Sequence, residues 1–156
     1  MTAYEKSLTV LTELFGRDCQ FALATSKEHV PSVRVVDTYY EDGAFYIVTY
    51  RTSQKALEIA ANERVALCDQ LYRFSGTAHL IGHPLQQENS QIRSKLIRVF
   101  EPWYFKHNDE NDADMCYIKI EPDHGFFYKD GTGYKVDFLK RTAEEFPFVF
   151  DVITAG

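Results

Sequence analysis

The spacing of apolar residues near the start of the chain predicts an amphipathic helix. The repeat consists of Tyr4, Leu8, Leu11 and Phe15, which fall on one helical face. Thr2 and Glu5 form a capping-box pattern at the N-terminal end, and Gly16 marks the C-terminal end. Similar periodicity predicts a helix over residues 54–62 and another over residues 92–100.

Extended segments with apolar and aromatic residues occupy most of the remaining chain. The predicted strands are residues 19–25, 30–40, 45–50, 65–68, 73–81, 116–120 and 134–139, with a further extended stretch at 126–128. Asp42-Gly43 predicts a hairpin turn, because glycine accepts the positive φ that such turns need. Strands that outnumber helices and are joined by hairpins predict a mainly β protein: an antiparallel sheet curled into a barrel, with helices covering its ends.

Composition narrows the class of protein. No repeat or change in composition divides the chain, so we expect residues 1–156 to form a single domain. The net charge of -6 argues against general binding to nucleic acid or anionic membrane, since both need a basic surface. The N-terminal segment lacks the basic start and apolar run of a signal peptide, and no apolar run reaches membrane-spanning length. We therefore expect a cytoplasmic protein.

The cysteines and histidines predict neither a redox centre nor a metal site. Cys19, Cys68 and Cys116 are widely spaced and favour reduced thiols. His79 and His83 are four residues apart, a spacing that aligns metal ligands on a helix, but they fall on a predicted strand. We expect no metal, and the residue spacing identifies no catalytic acid, base or nucleophile.

The most informative stretch runs from Val33 to Lys55. If the strands on either side of Asp42-Gly43 pair, then Arg34, Thr49, Ser53 and Lys55 converge where the next helix begins. Helix N-termini present free N–H groups and a partial positive charge, so this convergence would suit a phosphate group. Taken singly, each residue also has a structural explanation: Ser53 as an N-cap and Arg34 as a strand residue reaching solvent.

An ordered series of segments resembles a known family. The matching segments are residues 21–25 (FALAT), 31–37 (PSVRVVD), 45–49 (FYIVT), 53–55 (SQK), Asn62 with 65–67 (VAL), and 74–78 (FSGTA). Together they resemble the FMN-binding split-barrel proteins related to pyridoxamine 5'-phosphate oxidase. The similarity runs from about residue 19 to 81 and is weaker over 116–128.

The resemblance implies a six-stranded antiparallel split β-barrel that forms a homodimer and holds FMN in a cleft between its subunits. The implied cofactor-binding residues are Arg34, Val35, Val36, Asp37, Val48, Thr49, Ser53, Gln54 and Lys55. Among them, Lys55 binds the phosphate with help from the start of its helix. Arg34 either meets the phosphate or places positive charge near the flavin ring edge. Gln54 replaces a basic residue that is often found in the family, which leaves fewer positive charges for the phosphate.

The resemblance also bears on activity. The Arg-containing ending through which true pyridoxamine phosphate oxidases engage cofactor and substrate is replaced here by residues 145–150 (EFPFVF). We therefore expect an FMN-binding flavoprotein, a small oxidoreductase for a small-molecule substrate, that does not oxidise vitamin B6. The alternatives are a non-catalytic cofactor-binding or stress-response protein, or a deazaflavin- or haem-binding relative. The aromatic ending could cover the cleft, pack on a partner subunit or complete the core.

Overall fold

A computed structural model describes residues 1–150 of the chain. It contains eight antiparallel strands: β1 (Cys19–Lys27), β2 (Val30–Glu41), β3 (Ala44–Tyr50), β4 (Arg64–Asp69), β5 (Tyr72–Gly82), β6 (Met115–Lys129), β7 (Thr132–Asp137) and β8 (Thr142–Pro147). Their order in the sheet is β3-β2-β1-β4-β5-β6-β7-β8. A further pairing between β3 and β6 closes the first six strands into a barrel. The predicted six-stranded antiparallel barrel is therefore confirmed, and β7 and β8 extend its sheet.

Within residues 1–150, four helices flank the barrel. They are α1 (Ala3–Phe15), α2 (Gln54–Ala61), α3 (Ser90–Val99) and α4 (Tyr104–His107), with a short 3₁₀ helix (Gln87–Asn89) before α3. The capping box at α1 is present as predicted, with the Thr2 hydroxyl accepting from the Glu5 N–H and the Glu5 side chain accepting from the Thr2 N–H. Among the helices of residues 1–150, none is long and apolar enough to cross a membrane.

The barrel interior is an aromatic and aliphatic core. Its fully buried side chains include Phe21, Leu23, Phe45 and Phe127, and α1 contributes Phe15 at the centre of this cluster. The rings of Phe15 and Phe74 meet edge-on with centroids 5.6 Å apart. Burial alternates along the strands, so one face of each strand supplies the core and the other faces outward.

The Asp42-Gly43 turn explains how β2 and β3 are joined. Asp42 has φ 45° and Gly43 has φ 86°, so both central residues lie in the left-handed region, as a two-residue hairpin loop requires. The tight loop places Glu41 opposite Ala44 and sets the register of the hairpin. The hairpin predicted from these two residues is thus confirmed.

The C-terminal half differs from the sequence-based prediction. The predicted strand 116–120 and the extended stretch 126–128 belong to one 15-residue strand, β6. An irregularity between Ser75 and Gly76 of β5 lets the two long strands stay paired past Pro122. A side chain at Gly76 would lie 2.3 Å from the Glu121 carbonyl oxygen, so this close approach requires glycine.

The aromatic ending also contributes to the sheet. Strand β8, absent from the predicted strands, pairs with β7 along its whole length. The ring of Phe146 stacks on that of Phe126 at 6.0 Å, and it lies where a side chain at Gly133 would otherwise sit. Residues 145–147 therefore extend the sheet beside β7.

Candidate functional site

The barrel is split between β2 and β3. Strand β2 pairs with β1 along residues 30–38, but in the described part of the chain only Tyr39, Tyr40 and Glu41 pair with β3. The opposite edge of β3 pairs with β6 over residues 45–50. The edge of β2 facing β3 therefore keeps backbone N–H and C=O groups free for other partners.

A cleft of about 610 Å³ lies at this split. Its lining residues are Asp18, Gln20, Val35, Val36, Asp37, Ile47, Val48, Lys55, Trp103, His107 and Asn108. The two strands supply apolar walls, α2 supplies a cation, and the segment around α4 supplies an aromatic ring and polar groups. Polar and charged side chains therefore make up most of the cleft lining, and the apolar surface is confined to the two strands.

Lys55 is the cation of this cleft. It lies in the first turn of α2, which begins after the N-cap Ser53, whose hydroxyl accepts from the Ala56 N–H. Its side chain is partly buried, and among residues 1–150 it has no carboxylate within salt-bridge distance. Burial, and then the neighbouring Arg34 guanidinium, lower the pKa of Lys55. An ammonium group under these conditions gains stability from any anion that binds beside it.

Arg34 lies close to Lys55 but is already bonded within the protein. Its Nη1 donates to the Thr25 hydroxyl at 2.6 Å and to the Leu23 carbonyl at 3.2 Å. Its Nη2 donates to a carboxylate oxygen of Glu58 at 3.1 Å. Glu58 projects from α2 and is 7% exposed. Arg34, which was predicted to contact the phosphate or lie near the flavin ring edge, is therefore part of a largely buried ion pair.

The other predicted polar residues surround the start of α2. The hydroxyls of Thr49 and Ser53 lie 3.2 Å apart, so the end of β3 and the beginning of α2 do converge. Gln54 points its amide toward Ser32 and Glu58, at 3.5 and 3.3 Å. These residues adjoin Lys55 without lining the cleft.

The predicted residues thus divide into two groups. Those that line the cleft are Val35, Val36, Asp37, Val48 and Lys55. Those that lie behind or beside its cationic end are Arg34, Thr49, Ser53 and Gln54.

Two carboxylates line the cleft away from α2: Asp37 on β2 and Asp18 just before β1. Burial, with a second contribution from the neighbouring Asp18, raises the pKa of Asp37 to about 6. Asp18 also accepts a hydrogen bond of 2.9 Å from the indole N–H of Trp103. Asp37 is three residues beyond Arg34, or roughly 10 Å along the strand. The cleft is therefore cationic near α2 and acidic farther along β2.

Sequence reasoning missed one wall of the cleft. None of Trp103, His107 and Asn108 is among the predicted site residues, yet all three line the cleft. They come from the segment between β5 and β6, which is held in place by contacts distant in sequence. The Asp109 N–H, for example, donates to the hydroxyl of Tyr50 in β3, 59 residues away, at 3.0 Å. No local motif signals such a placement.

The described residues form no metal-binding cluster beside this site. Within residues 1–150, no cluster of three or more His, Cys, Asp or Glu side chains has the proximity needed to hold a metal ion. His79 and His83 go to different partners: the His79 ring faces Glu63 at 3.7 Å, and the His83 ring contacts the Asp112 carbonyl at 3.0 Å.

Comparison with solved structures finds the same fold in proteins with different cofactors. An FAD-binding protein from Mesorhizobium loti is 16% identical, with 75% of this chain and 90% of that chain aligned and a TM-score of 0.59. A heme binding protein from Mycobacterium smegmatis is 13% identical, with 88% and 58% aligned and a TM-score of 0.62. An F420 reductase is 20% identical, with 71% and 91% aligned and a TM-score of 0.55. At these identities the similarity shows the fold alone.

Sequence comparison identifies the family. No curated protein matches the chain significantly in sequence. The family model described as pyridoxamine 5'-phosphate oxidase matches residues 11–129, which include the end of α1, all of α2, all six barrel strands and the α3–α4 segment. The match spans well over half of the chain, and the split barrel agrees with it. The chain therefore belongs to the pyridoxamine 5'-phosphate oxidase family.

Proposed function

We propose that this protein is a flavoprotein that binds FMN in the split between β2 and β3 and works as a small oxidoreductase on a small-molecule substrate. Lys55 carries the proposal: it is a partly buried cation in a cleft, without an acidic partner among the described residues. Leaving such a charge unpaired costs stability, whereas the phosphate of FMN would supply the missing anion.

The surroundings of Lys55 fit a phosphate group. Helix α2 begins beside it, so the helix dipole and the free N–H groups of the first turn favour negative charge there. Thr49 and Ser53 add hydroxyls at the same point. The chain would thus hold the phosphate with one full charge and several weaker donors.

The rest of the cleft fits a flat ring system. The free edge of β2 at Val35, Val36 and Asp37 offers backbone hydrogen-bonding groups, and Val48 offers an apolar surface from β3. Bound FMN would supply the electron-transfer chemistry, while these residues position it and limit its exposure to water.

The outer face of the sheet supports a homodimer. Four small side chains, Ala22, Ala24, Ala66 and Cys68, form the outward rows of β1 and β4, because Ala22 pairs with Cys68 and Ala24 with Ala66. On β2 these rows continue into Val35 and Val33, which are 65% and 68% exposed. Adjacent exposed apolar side chains of this kind are typical of surfaces that a partner covers.

Such a partner would also border the cofactor. Val35 belongs both to this outer face and to the cleft lining. A second copy packed on the outer face would therefore approach the cleft along β2. We propose a two-fold homodimer in which each FMN lies near the subunit interface.

A haem-binding protein is the second candidate. The neighbour from Mycobacterium smegmatis motivates it, and His107 at the cleft offers an imidazole of the kind that ligates haem iron. The distinction is spectroscopic, since bound flavin, deazaflavin and haem absorb differently. A non-catalytic protein would bind its cofactor without turnover.

The decisive experiment is to purify the protein without added cofactor and identify any small molecule released on denaturation. The apoprotein is then titrated with FMN and with riboflavin, which lacks the phosphate. We expect FMN to bind more tightly than riboflavin. We also expect a reduced nicotinamide to reduce the flavin of the holoprotein. Equal affinities for the two flavins would refute the phosphate site, and release of haem would favour the second candidate.

A further inference from the structure

Glu58 is the most completely bonded carboxylate near the cleft. One of its oxygens accepts from the Thr25 hydroxyl at 2.5 Å and from Arg34 Nη2 at 3.1 Å. The other accepts from the Ser32 hydroxyl at 2.9 Å and from the Gln54 amide at 3.3 Å. The hydrogen bond from Thr25, followed by those from Ser32 and Arg34, lowers the pKa of Glu58. These five residues form a network, the Glu58 network, that joins β1, β2 and α2.

Within this network, Arg34 is bound by Thr25 as well as by Glu58. The Thr25 hydroxyl donates to Glu58 and accepts from Arg34 Nη1, so it bridges the two partners of the ion pair. Thr25 is 3% exposed. Turning the guanidinium toward a ligand would break bonds to Thr25, Leu23 and Glu58, and it would leave a buried carboxylate unpaired.

The charges near the phosphate end can therefore be counted. Lys55 and Arg34 each contribute one positive charge, and Glu58 contributes one negative charge. Arg51, which follows β3, is exposed and paired with Asp114 at 2.6 Å. The net contribution of the three inner groups is a single positive charge, located at Lys55.

We propose that Glu58 is a positioning residue that retains Arg34 inside the fold, so that Lys55 alone among these cations contacts the phosphate of the flavin. This inference rests on the proposed FMN site. It assigns Arg34 a role different from the phosphate contact that the family resemblance allows. It also implies that Glu58 limits the affinity for phosphate: removing its charge should strengthen the attraction of the site for an anion.

Charge-changing variants test this assignment. Glu58→Gln, Arg34→Gln and the double variant replace charged groups by amides that still form hydrogen bonds. Glu58→Gln raises the net charge beside Lys55 by one, Arg34→Gln lowers it by one, and the double variant leaves it unchanged. The measured quantity is the ratio of FMN to riboflavin affinity, which isolates the phosphate because a general loss of structure affects both flavins. Glu88→Gln, outside the cleft lining, controls for the change in total charge.

We expect the ratio to rise about three- to tenfold in Glu58→Gln and to fall by a similar factor in Arg34→Gln, as one unit charge acting over several ångströms would cause. The double variant should return to the wild-type ratio. A double variant with a ratio as low as that of Arg34→Gln would overturn the proposal, because it would show that Arg34 itself contacts the phosphate. Unchanged ratios in both single variants would overturn it as well.

Wild-type protein provides a test that does not depend on the variants folding. The FMN to riboflavin ratio should fall with added NaCl, with the shallow slope expected for a single ion pair. A steep slope that indicates two cations on the phosphate would contradict the assignment. If wild-type protein binds no flavin, the proposed function fails; if it prefers FMN but the variants do not follow the charge count, only the role of Glu58 fails.

Discussion

Replacing Lys55 by methionine should have opposite effects on cofactor binding and on the stability of the apoprotein. Lys55→Met keeps an unbranched side chain of similar length and removes the charge. If Lys55 contacts the phosphate, the variant loses one charge-assisted hydrogen bond, worth about 1.5–3 kcal/mol. That loss corresponds to roughly a ten- to hundredfold weaker affinity for FMN. Riboflavin affinity should not change, since riboflavin has no phosphate.

The apoprotein should become more stable in the same variant. Burial and the nearby Arg34 guanidinium disfavour the charged form of Lys55, which its lowered pKa reflects. Removing an unpaired, partly buried charge relieves this penalty, and methionine restores apolar packing. The midpoint of thermal unfolding of the apoprotein should therefore rise, while the stabilisation that FMN adds should shrink.

Flavin fluorescence titration and thermal unfolding with and without FMN measure both effects. Lys27→Met, which removes an exposed positive charge at the end of β1, serves as the matched control. Unchanged FMN affinity in Lys55→Met would place the phosphate elsewhere. A destabilised apoprotein would show that Lys55 supports the fold. That result would contradict the reasoning, because Lys55 has no carboxylate partner among the described residues.

Three further variants test other parts of the structure. Val33→Glu puts a charge on the proposed dimer face and should shift sedimentation toward monomer and weaken FMN retention, whereas dimers of undiminished stability would exclude that face. The pKa of Asp37 is raised in the folded protein, so ionisation of Asp37 opposes folding, and this penalty grows as pH rises from about 4 to about 6. Asp37→Asn should therefore stabilise the protein by about 1 kcal/mol at pH 7.5, after allowance for solvent screening, and should have no effect near pH 4. Thermal unfolding at the two pH values measures both. Tyr104→Phe removes the hydrogen bonds that the buried Tyr104 hydroxyl forms with Glu110 and Tyr117. It should cost about 1–3 kcal/mol in urea unfolding, and a neutral effect would show that this hydroxyl contributes nothing.

The local sequence determined most of the elements that build the site. Alternating burial along β1 and β2 follows the alternation of apolar residues, since successive side chains of a strand point to opposite faces. Asp42-Gly43 sufficed to predict the β2–β3 hairpin, and Ser53 to predict the start of α2. These signals are local because backbone dihedrals and cap hydrogen bonds involve residues only a few positions apart.

Tertiary structure decided which side chains are available to a ligand. Arg34 looked like a cation for the phosphate, but Glu58, 24 residues away, pairs with it across two elements. Trp103 reaches the cleft across 85 residues through its bond to Asp18. Whether a charge is paired depends on groups that meet only in the folded chain, because hydrogen bonds and burial act through space. The sequence by itself therefore determined the barrel and the position of Lys55, whereas the pairing of Arg34 and the wall around Trp103 were decided by the packing of α2 and α4 against the strands.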